Sequence, residues 1–440
     1  MKTRRYCYLG CLAAALALLV AGPIRTAQAG DLRVGVAKVD ITPTDLTGLT
    51  NLWRTPFTGV HDPIYLRALV LDDGTQTAAI VAADLVEFGD TLSIRQRVFR
   101  ELGIAPDHVI LTASHNHSAP RVGLVTPGAS AQVGGPATAA YTETVYRQIV
   151  DVLRSARAAM QPAKVGIGTG TSDVNINRDE YTSGGWILGN NSDGPSEKTV
   201  WVVRFDNLAG EPIALLLNYA VHSVVLGPEN TLVTGDIAGA AERFVEHYYK
   251  DKVVALWTIG AAGDQNPKYM AWEGRADRED GYPLMNALGQ VVGEEIVRVA
   301  GRIDYMTDSA RLDAAERVVT CPAQVPIRQR QARATLKAET IDIRLGLIML
   351  NQIAITAVSG EVVTRIYWNL RKVSPVTGTI MITMANDRVG YIPDDASYDT
   401  PSFEVTGTPL QRGCAESGIV NGLSEMIASA PRQGSRPEGS

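Results

Sequence analysis

Val109-Ile110-Leu111-Thr112-Ala113-Ser114-His115-Asn116-His117-Ser118-Ala119-Pro120 is the stretch around which the other informative residues arrange themselves. It begins as an apolar run of the kind that forms a buried strand, and Pro120 with Gly123 ends regular structure just beyond it. The two histidines therefore sit at the strand end or just past it. Residues two apart in an extended chain point the same way, so His115 and His117 can face one cavity together. A neutral imidazole is the commonest zinc ligand, and strand-to-loop junctions are where α/β proteins keep their chemistry. The spacing fits a hydrogen-bonded turn or a solvated edge as well, so the rest of the chain has to decide.

On the N-terminal side, residues 65–71 and 77–85 read as two strands around Asp72-Asp73-Gly74, a hairpin turn signal, and a helix over 93–102 feeds the histidine strand. On the other side, Val145, Ile149, Val152 and Leu153 recur at helical spacing within residues 138–160, which predicts a long amphipathic helix on a sheet. A strand over 165–174 then delivers Asn175-Ile176-Asn177-Arg178. Residues 179–198, rich in Gly, Asn, Ser and Asp, read as a long loop. Strands over 200–205 and 213–221 follow, the second ending at His222. Asp236 marks the start of a helix running to 249. The nearly all-apolar 253–259 predicts a strand buried on both faces, leading into the glycine-rich turn 260–267. Three strands thus end in polar turns, after Leu111, Tyr219 and Ile259, which suggests a common rim. Further on come a helix (283–299), strands (310–319, 340–348, 352–359), Gly360-Glu361, a helix from 364, a strand (380–384), Tyr391, and a helix over 419–428. The pattern is that of an α/β fold: a layered, mixed β-sheet core flanked by helices, with a candidate zinc site, still to be decided, at strand ends.

With 440 residues, 45% of them hydrophobic and 20% charged, the chain can bury a large core. Lys2, Arg4 and Arg5 precede the apolar run 12–20, and Ala27-Gln28-Ala29 is a small-residue cleavage site, so residues 1–29 read as a secretory signal peptide with cleavage after Ala29. Paired Arg4-Arg5 leaves Sec and twin-arginine export both open. The mature protein is expected in the periplasm or outside the cell. Removing Lys2, Arg4, Arg5 and Arg25 with no acids takes the formal charge from −6 to −10, and so acidic a protein is a poor nucleic-acid binder. No later segment reaches the ~20 apolar residues that span a bilayer. Cys321 and Cys414 remain; they form a pair or stay unrelated thiols. Residues 30–430 are expected to form the working domain, and 431–440 a disordered tail. No sequence pattern bears on oligomeric state.

Taken in order over about residues 33–405, nine short stretches resemble the neutral, non-lysosomal ceramidase family. They are 37–42, the segment of Gly59, His61 and Arg67, 112–120, 175–178, 220–223, 233–236 (with Thr234 where the family usually has serine), Gly263-Asp264, Gly360-Glu361, and Tyr391 with Tyr398. The resemblance implies a buried zinc ion (Zn2+) and hydrolysis of a small N-acyl amide. By motif, His115, His222, Glu361 and Tyr391 are similar to the family's zinc ligands, and His117 to a proton carrier. Arg178 resembles the arginine that contacts the substrate carbonyl, where a cation facing the developing oxyanion is worth ~3 kcal/mol of barrier. Considered singly, His222 reads as a core histidine, Glu361 as a helix N-terminal acid and Tyr391 as packing; their joint occurrence is what raises them. His61 and Tyr398 fit structural and substrate-binding roles equally.

The chain also departs from the family. Asn266-Pro267 stands where the family has serine and proline, and asparagine is no acyl acceptor. Asp179-Glu180 replaces another Ser-Pro, Phe403 falls near a family tyrosine, and no immunoglobulin-like C-terminal domain follows. The expectation is an exported zinc amidase that uses metal-activated water, with Arg178 and Asn266 on the substrate and a more polar or cationic substrate than ceramide. An inactive metal- or ligand-binding homologue and a zinc esterase or lactonase are the competing readings.

Overall fold

The computed structural model describes residues 30–123, 135–272, 281–330 and 338–430. Its first elements are β1 (Arg33–Asp40), β2 (Tyr65–Asp72), β3 (Thr77–Ala83), α1 (Leu92–Leu102), β4 (Val109–Ala113), α2 (Pro136–Ala158) and β5 (Gln161–Thr171). Then come β6 (Asn175–Thr182), β7 (Gly185–Asn191), β8 (Thr199–Asn207), β9 (Pro212–Tyr219), α3 (Asp236–Tyr248), β10 (Val254–Ile259), β11 (Gln265–Pro267) and α4 (Gly281–Ala300). The last third supplies β12 (Leu312–Pro322), β13 (Thr340–Leu350), β14 (Ile353–Val358), α5 (Thr364–Val373), β15 (Gly378–Ile382) and α6 (Ala415–Ser429).

Eight strands form a mixed sheet in the order β10-β9-β8-β5-β1-β2-β3-β4. Its halves are joined only where Arg33 and Val34 meet Pro162 and Gln161, so each half twists on its own. The outer strand β10 thereby comes against β2, β3 and β4 of the other half. A second sheet, β12-β13-β14-β15, packs over the first, and Leu69, Ile80, Leu216, Ile348, Ile355 and Ile380 interdigitate between them. Each such side chain taken out of water stabilises the fold by ~2 kcal/mol. Helix α2 covers β1 and β2 with the expected Val145, Ile149, Val152 and Leu153, α3 and α4 pack together over β8 to β10, and α5 and α6 close the outer face of the second sheet.

Within the two large sheets, three neighbouring strand pairs are parallel: β3 with β4, β9 with β10, and β14 with β15. Each is connected through a helix, because parallel strands cannot be joined by a tight turn. The turns that leave β4, β9, β10 and β14 are therefore free to carry side chains at the rim. They hold His115 and His117, His222, Asn266, and Glu361 respectively.

Several expectations need correction. Residues 179–198 are largely a hairpin, in which β6 and β7 pair from Asn177/Asn191 to Thr182/Gly185 and β11 adds a third strand. The polar composition hid Trp186-Ile187-Leu188 beyond the Gly184-Gly185 turn. At the start of α3, Gly235 occupies the cap position without a side-chain bond. Asp236, at φ 49°, instead accepts from the N–H groups of Val225, Leu226 and Ile237. Cys321 and Cys414, left open above, are joined in a disulfide with Cα atoms 5.7 Å apart. The expected signal peptide and the tail from 431 lie outside the described residues, among which no helix is long and apolar enough to cross a membrane.

Candidate metal centre

The histidine loop is not extended. His115 takes φ 56°, a left-handed turn that swings its ring back over β3's exit, and its Nδ1 meets the Val86 carbonyl at 2.9 Å. Asn116, fully buried, pins this turn. Its amide donates to the carbonyls of Asp84 and Thr234, its Oδ1 accepts from Ser118 N, and its backbone bridges to Ser223 beside His222. His115 and His117 still reach one place, with ring centroids 4.7 Å apart, but by a turn and not by strand alternation.

The turn 260–267 is the hub that brings in the other groups. The Gln265 carbonyl accepts from both N and Nδ1 of His222, at 3.2 and 3.0 Å. The Asp264 carbonyl accepts from Arg178 N, and Gly263 N donates to the Val362 carbonyl. A Cβ at residue 263 would lie 2.6 Å from the Glu361 carbonyl oxygen, so only glycine allows this approach. Glu361 itself sits on a two-residue ladder directly opposite Tyr391.

The result is a buried cluster. His115 Nε2 and His222 Nε2 each lie 3.3 Å from the same Glu361 oxygen, Oε2. Their Nδ1 atoms face carbonyls, which accept only, so the ring protons of the neutral forms belong on Nδ1 and the Nε2 lone pairs converge on a carboxylate. Lone pairs converging on an anion call for a cation between them. Two imidazole nitrogens and a carboxylate oxygen are a zinc donor set, and a third imidazole, His117, brings a ring nitrogen within 4.8 Å of those of His115 and His222. His117 differs from the other two: both of its ring nitrogens are buried without a partner among the described residues. Burial, joined by the charges of His115 and His222, holds its pKa well below the ordinary value. Burial and then Arg178 lower His222 to about 4. At His115 burial works against the charged form, and Glu361 overcomes it, for a net rise. Burial would raise Glu361, but His115 and His222 hold it well below the usual carboxylate range.

Arg178 enters from β6. Its Nη1 lies 3.1 Å from Asn266 Oδ1 and 3.2 Å from His222 Nε2, and its guanidinium stands 5.3 Å from the Tyr391 ring centroid. Tyr391 is half-buried, and desolvation followed by Glu361 raises its pKa. The main anchor of Arg178 escaped sequence reasoning: Glu404, buried in the short helix Phe403–Gly407, accepts from Nε at 2.8 Å and pairs with Nη2 at 2.7 Å. A lone acid in a five-residue helix carries no periodic or motif signal. Asp179 does not present a negative charge beside Arg178. Burial and then Glu404 push its carboxyl up to about 9, so it keeps its proton at neutral pH, and Glu180 is taken up by Asn190 N in the hairpin. Tyr398 lies one layer out, its hydroxyl donating to the Leu410 carbonyl at 3.0 Å. His61 stacks on Tyr282 at 4.0 Å and touches Asp62, away from the imidazole cluster.

A family described as neutral/alkaline non-lysosomal ceramidase, N-terminal, matches residues 32–371. The neutral ceramidase of Drosophila pseudoobscura pseudoobscura is 25% identical over 274 residues, covering 58% of this chain and 39% of that protein. Neutral ceramidase A of Dictyostelium discoideum is 27% identical over 209 residues, 43% of this chain and 28% of that one. The chain thus spans well under half the length of these curated relatives. Among solved structures, the neutral ceramidase from Pseudomonas aeruginosa shares the fold, with a TM-score of 0.70 at 18% identity over 91% of this chain and 74% of that one. A ceramidase complexed with C2 gives 0.71 at 17% identity, over 91% and 75%. The chain belongs to the neutral/alkaline non-lysosomal ceramidase family, by its N-terminal domain.

Proposed function

We propose that residues 30–430 form an exported, zinc-dependent hydrolase that cleaves an N-acyl amide with water. The observation that carries this reading is the convergence of two Nε2 lone pairs on one Glu361 oxygen, with both Nδ1 protons directed at carbonyls. His115, His222 and Glu361, with Tyr391 beside Glu361, would hold the metal. When bound, zinc polarises a carbonyl and lowers the pKa of water to ~7.

His117 falls outside the ligand set, because neither of its nitrogens has the outer partner that normally fixes a ligating imidazole. Neutral and open on both nitrogens, it takes the proton of the attacking water and hands it to the leaving nitrogen as the C–N bond breaks. Arg178, held from behind by Glu404 and from the side by Asn266, keeps a full positive charge toward the carbonyl oxygen as negative charge develops there. Asn266 cannot accept an acyl group, so hydrolysis proceeds without an acyl-enzyme. That substitution and the neutral Asp179 lie on the substrate side and support a substrate other than ceramide. Export is supported by the leader pattern and by the Cys321–Cys414 disulfide, a bond that persists in oxidising compartments.

The purified protein should carry about one zinc per chain by elemental analysis. His115→Ala should lose both the metal and turnover of a panel of N-acyl amides. Full zinc occupancy in His115→Ala would overturn the ligand assignment. Turnover confined to esters or lactones would replace the amidase reading with the esterase one, and a zinc-loaded protein inert on the whole panel would leave a binding protein.

A further inference from the structure

Four charged residues on the segments that build the imidazole cluster have no part in the chemistry above. Glu87, buried, follows Val86, whose carbonyl holds His115 Nδ1. Arg121 comes four residues after His117, and its N–H donates to the Thr50 carbonyl at 3.4 Å, which ties the end of the histidine loop to the loop of Trp53. The Trp53 ring lies 4.9 Å from that of His117, and Arg54 follows it in a left-handed turn, φ 71°, closed by its N–H on the Asn51 carbonyl. Arg388 stands two residues before Gly390, whose carbonyl accepts from Glu361 N at 2.8 Å. Each of the four is thus placed by a segment that also touches or carries a member of the cluster.

Their charges do not balance. Arg388 Nε takes Glu87 Oε2 at 2.7 Å, and Asp387, next to Arg388 in the chain, faces Arg344 instead. Neither Arg54 nor Arg121 makes a side-chain hydrogen bond or ion pair among the described residues, and Arg121 Nε is buried without a partner there. Burial lowers the pKa of Arg121; Glu87 works against this, and the like charges of Arg388 and Arg54 add to it, so the four groups stand close enough to act on one another. Three guanidiniums gathered over one carboxylate that is already paired repel each other until an anion joins them. The planar fork of a guanidinium matches carboxylate or phosphate oxygens two at a time. In an acidic chain they make a positive rim, and a rim of one sign concentrates ligands of the other. The acids that pointed to a cationic substrate do not oppose this, since Asp179 is neutral and Glu180 is bonded to Asn190 N.

We infer that Arg54 and Arg121, backed by the Arg388–Glu87 pair, bind an oxyanion, a carboxylate or a phosphate, at the edge of the imidazole cluster. Carried by the substrate, that anion makes the protein an amidase for acylated compounds with an acidic group, which rests on the amidase reading; a free anion binds without it. Matched amides test the first source, with the carboxylate on either half: N-acyl-alanine against N-acyl-isopropylamine, and N-succinyl-hexylamine against N-butanoyl-hexylamine. Wild type should favour the acidic member of one pair or both by about ten- to a hundredfold in kcat/KM, and Arg54→Gln combined with Arg121→Gln should bring that ratio toward one. Calorimetric binding of inorganic phosphate to the purified wild type and the double variant tests the second source. Arg54→Gln alone, a change at an exposed side chain, stands in for the double variant in both assays if the latter does not fold. An acid preference lost in the variant assigns the anion to the substrate. No preference, with phosphate bound by wild type and not by the variant, assigns it to a free anion. If neither preference nor phosphate binding depends on the arginines, the inference is overturned, and hydrolysis of the neutral amides then leaves the amidase reading standing. If no amide is hydrolysed, the amidase reading falls, and phosphate binding alone decides the inference.

Discussion

Asn266 separates two mechanisms for this branch of the family. Its Oδ1 accepts from Arg178 Nη1 at 3.1 Å, and both side chains are buried. A hydrogen bond to a charged group contributes ~1.5 to 3 kcal/mol. Glu404 keeps its grip on Nε and Nη2 when Asn266 is truncated, so the guanidinium stays charged and in place. The loss for Asn266→Ala should therefore fall at the lower end, ~1.5 kcal/mol, or about tenfold in kcat/KM. Zinc content should be unchanged, since Asn266 touches none of the proposed ligands in the way that Glu361 does. Asn266→Ser should fare no better than Asn266→Ala if, as proposed, water is the nucleophile, since a hydroxyl there then has only the lost hydrogen bond to replace. The assay is steady-state release of the amine, with elemental analysis for zinc and intact-mass spectrometry during turnover. A gain of orders of magnitude in Asn266→Ser, with an acyl adduct trapped at that position, would refute the reasoning and restore a serine route.

Three other substitutions probe the surroundings. Glu404→Gln leaves the buried Arg178 without its counter-charge; it should cost ~3 kcal/mol of stability and lower kcat while zinc is retained, as read by urea unfolding, kinetics and elemental analysis. Cys321→Ser with Cys414→Ser opens a link between residues 93 apart in sequence, and should lower the unfolding free energy by ~4 kcal/mol in denaturant titrations. Asp236 is raised by burial to about 6 in the folded state. A raised acid contributes stability that is full below its unfolded pKa of ~4 and lost as pH rises through the folded value, so wild type should lose ~3 kcal/mol relative to Asp236→Asn between pH ~4 and ~6. A difference that is flat across this window would show that the three N–H donors to Asp236 outweigh its burial.

Apolar patterning made most of the framework legible. The β2–β3 hairpin, the strand before His115, the long α2 and the doubly buried β10 were all written in runs and periods that local chemistry dictates. The common rim after β4, β9 and β10 was legible for the same reason, since a parallel strand must end in a loop. What escaped was set by long-range partners. The left-handed φ of His115 is enforced by Asn116 bonds to Asp84 and Thr234, which no local pattern announces. The hairpin of β6 and β7 is polar because one face is exposed and the other serves Arg178. Glu404 reaches Arg178 across 226 residues of chain. Asp179 looked like a charge in the sequence and is a neutral acid in the fold, because burial, and then Glu404 beside it, raise its carboxyl.

This division has a consequence for how the site can vary. The proposed metal groups hang on turns that close parallel strand pairs, where helical crossovers and the core between the two sheets fix them: His115 after β4, His222 after β9, Glu361 after β14. Moving any of these turns means repacking Leu216, Ile348 or Ile355, at ~2 kcal/mol for each side chain displaced. The groups proposed for the substrate side come from elsewhere: Arg178 from the small three-stranded sheet, and Glu404, which holds it, from a five-residue helix. Those segments carry little of the core and tolerate replacement. A chain built this way would hold the proposed metal set under strong packing constraint while its substrate side drifts, which fits a sequence that keeps all four proposed ligands while Asn266 and Asp179 depart from the resemblance.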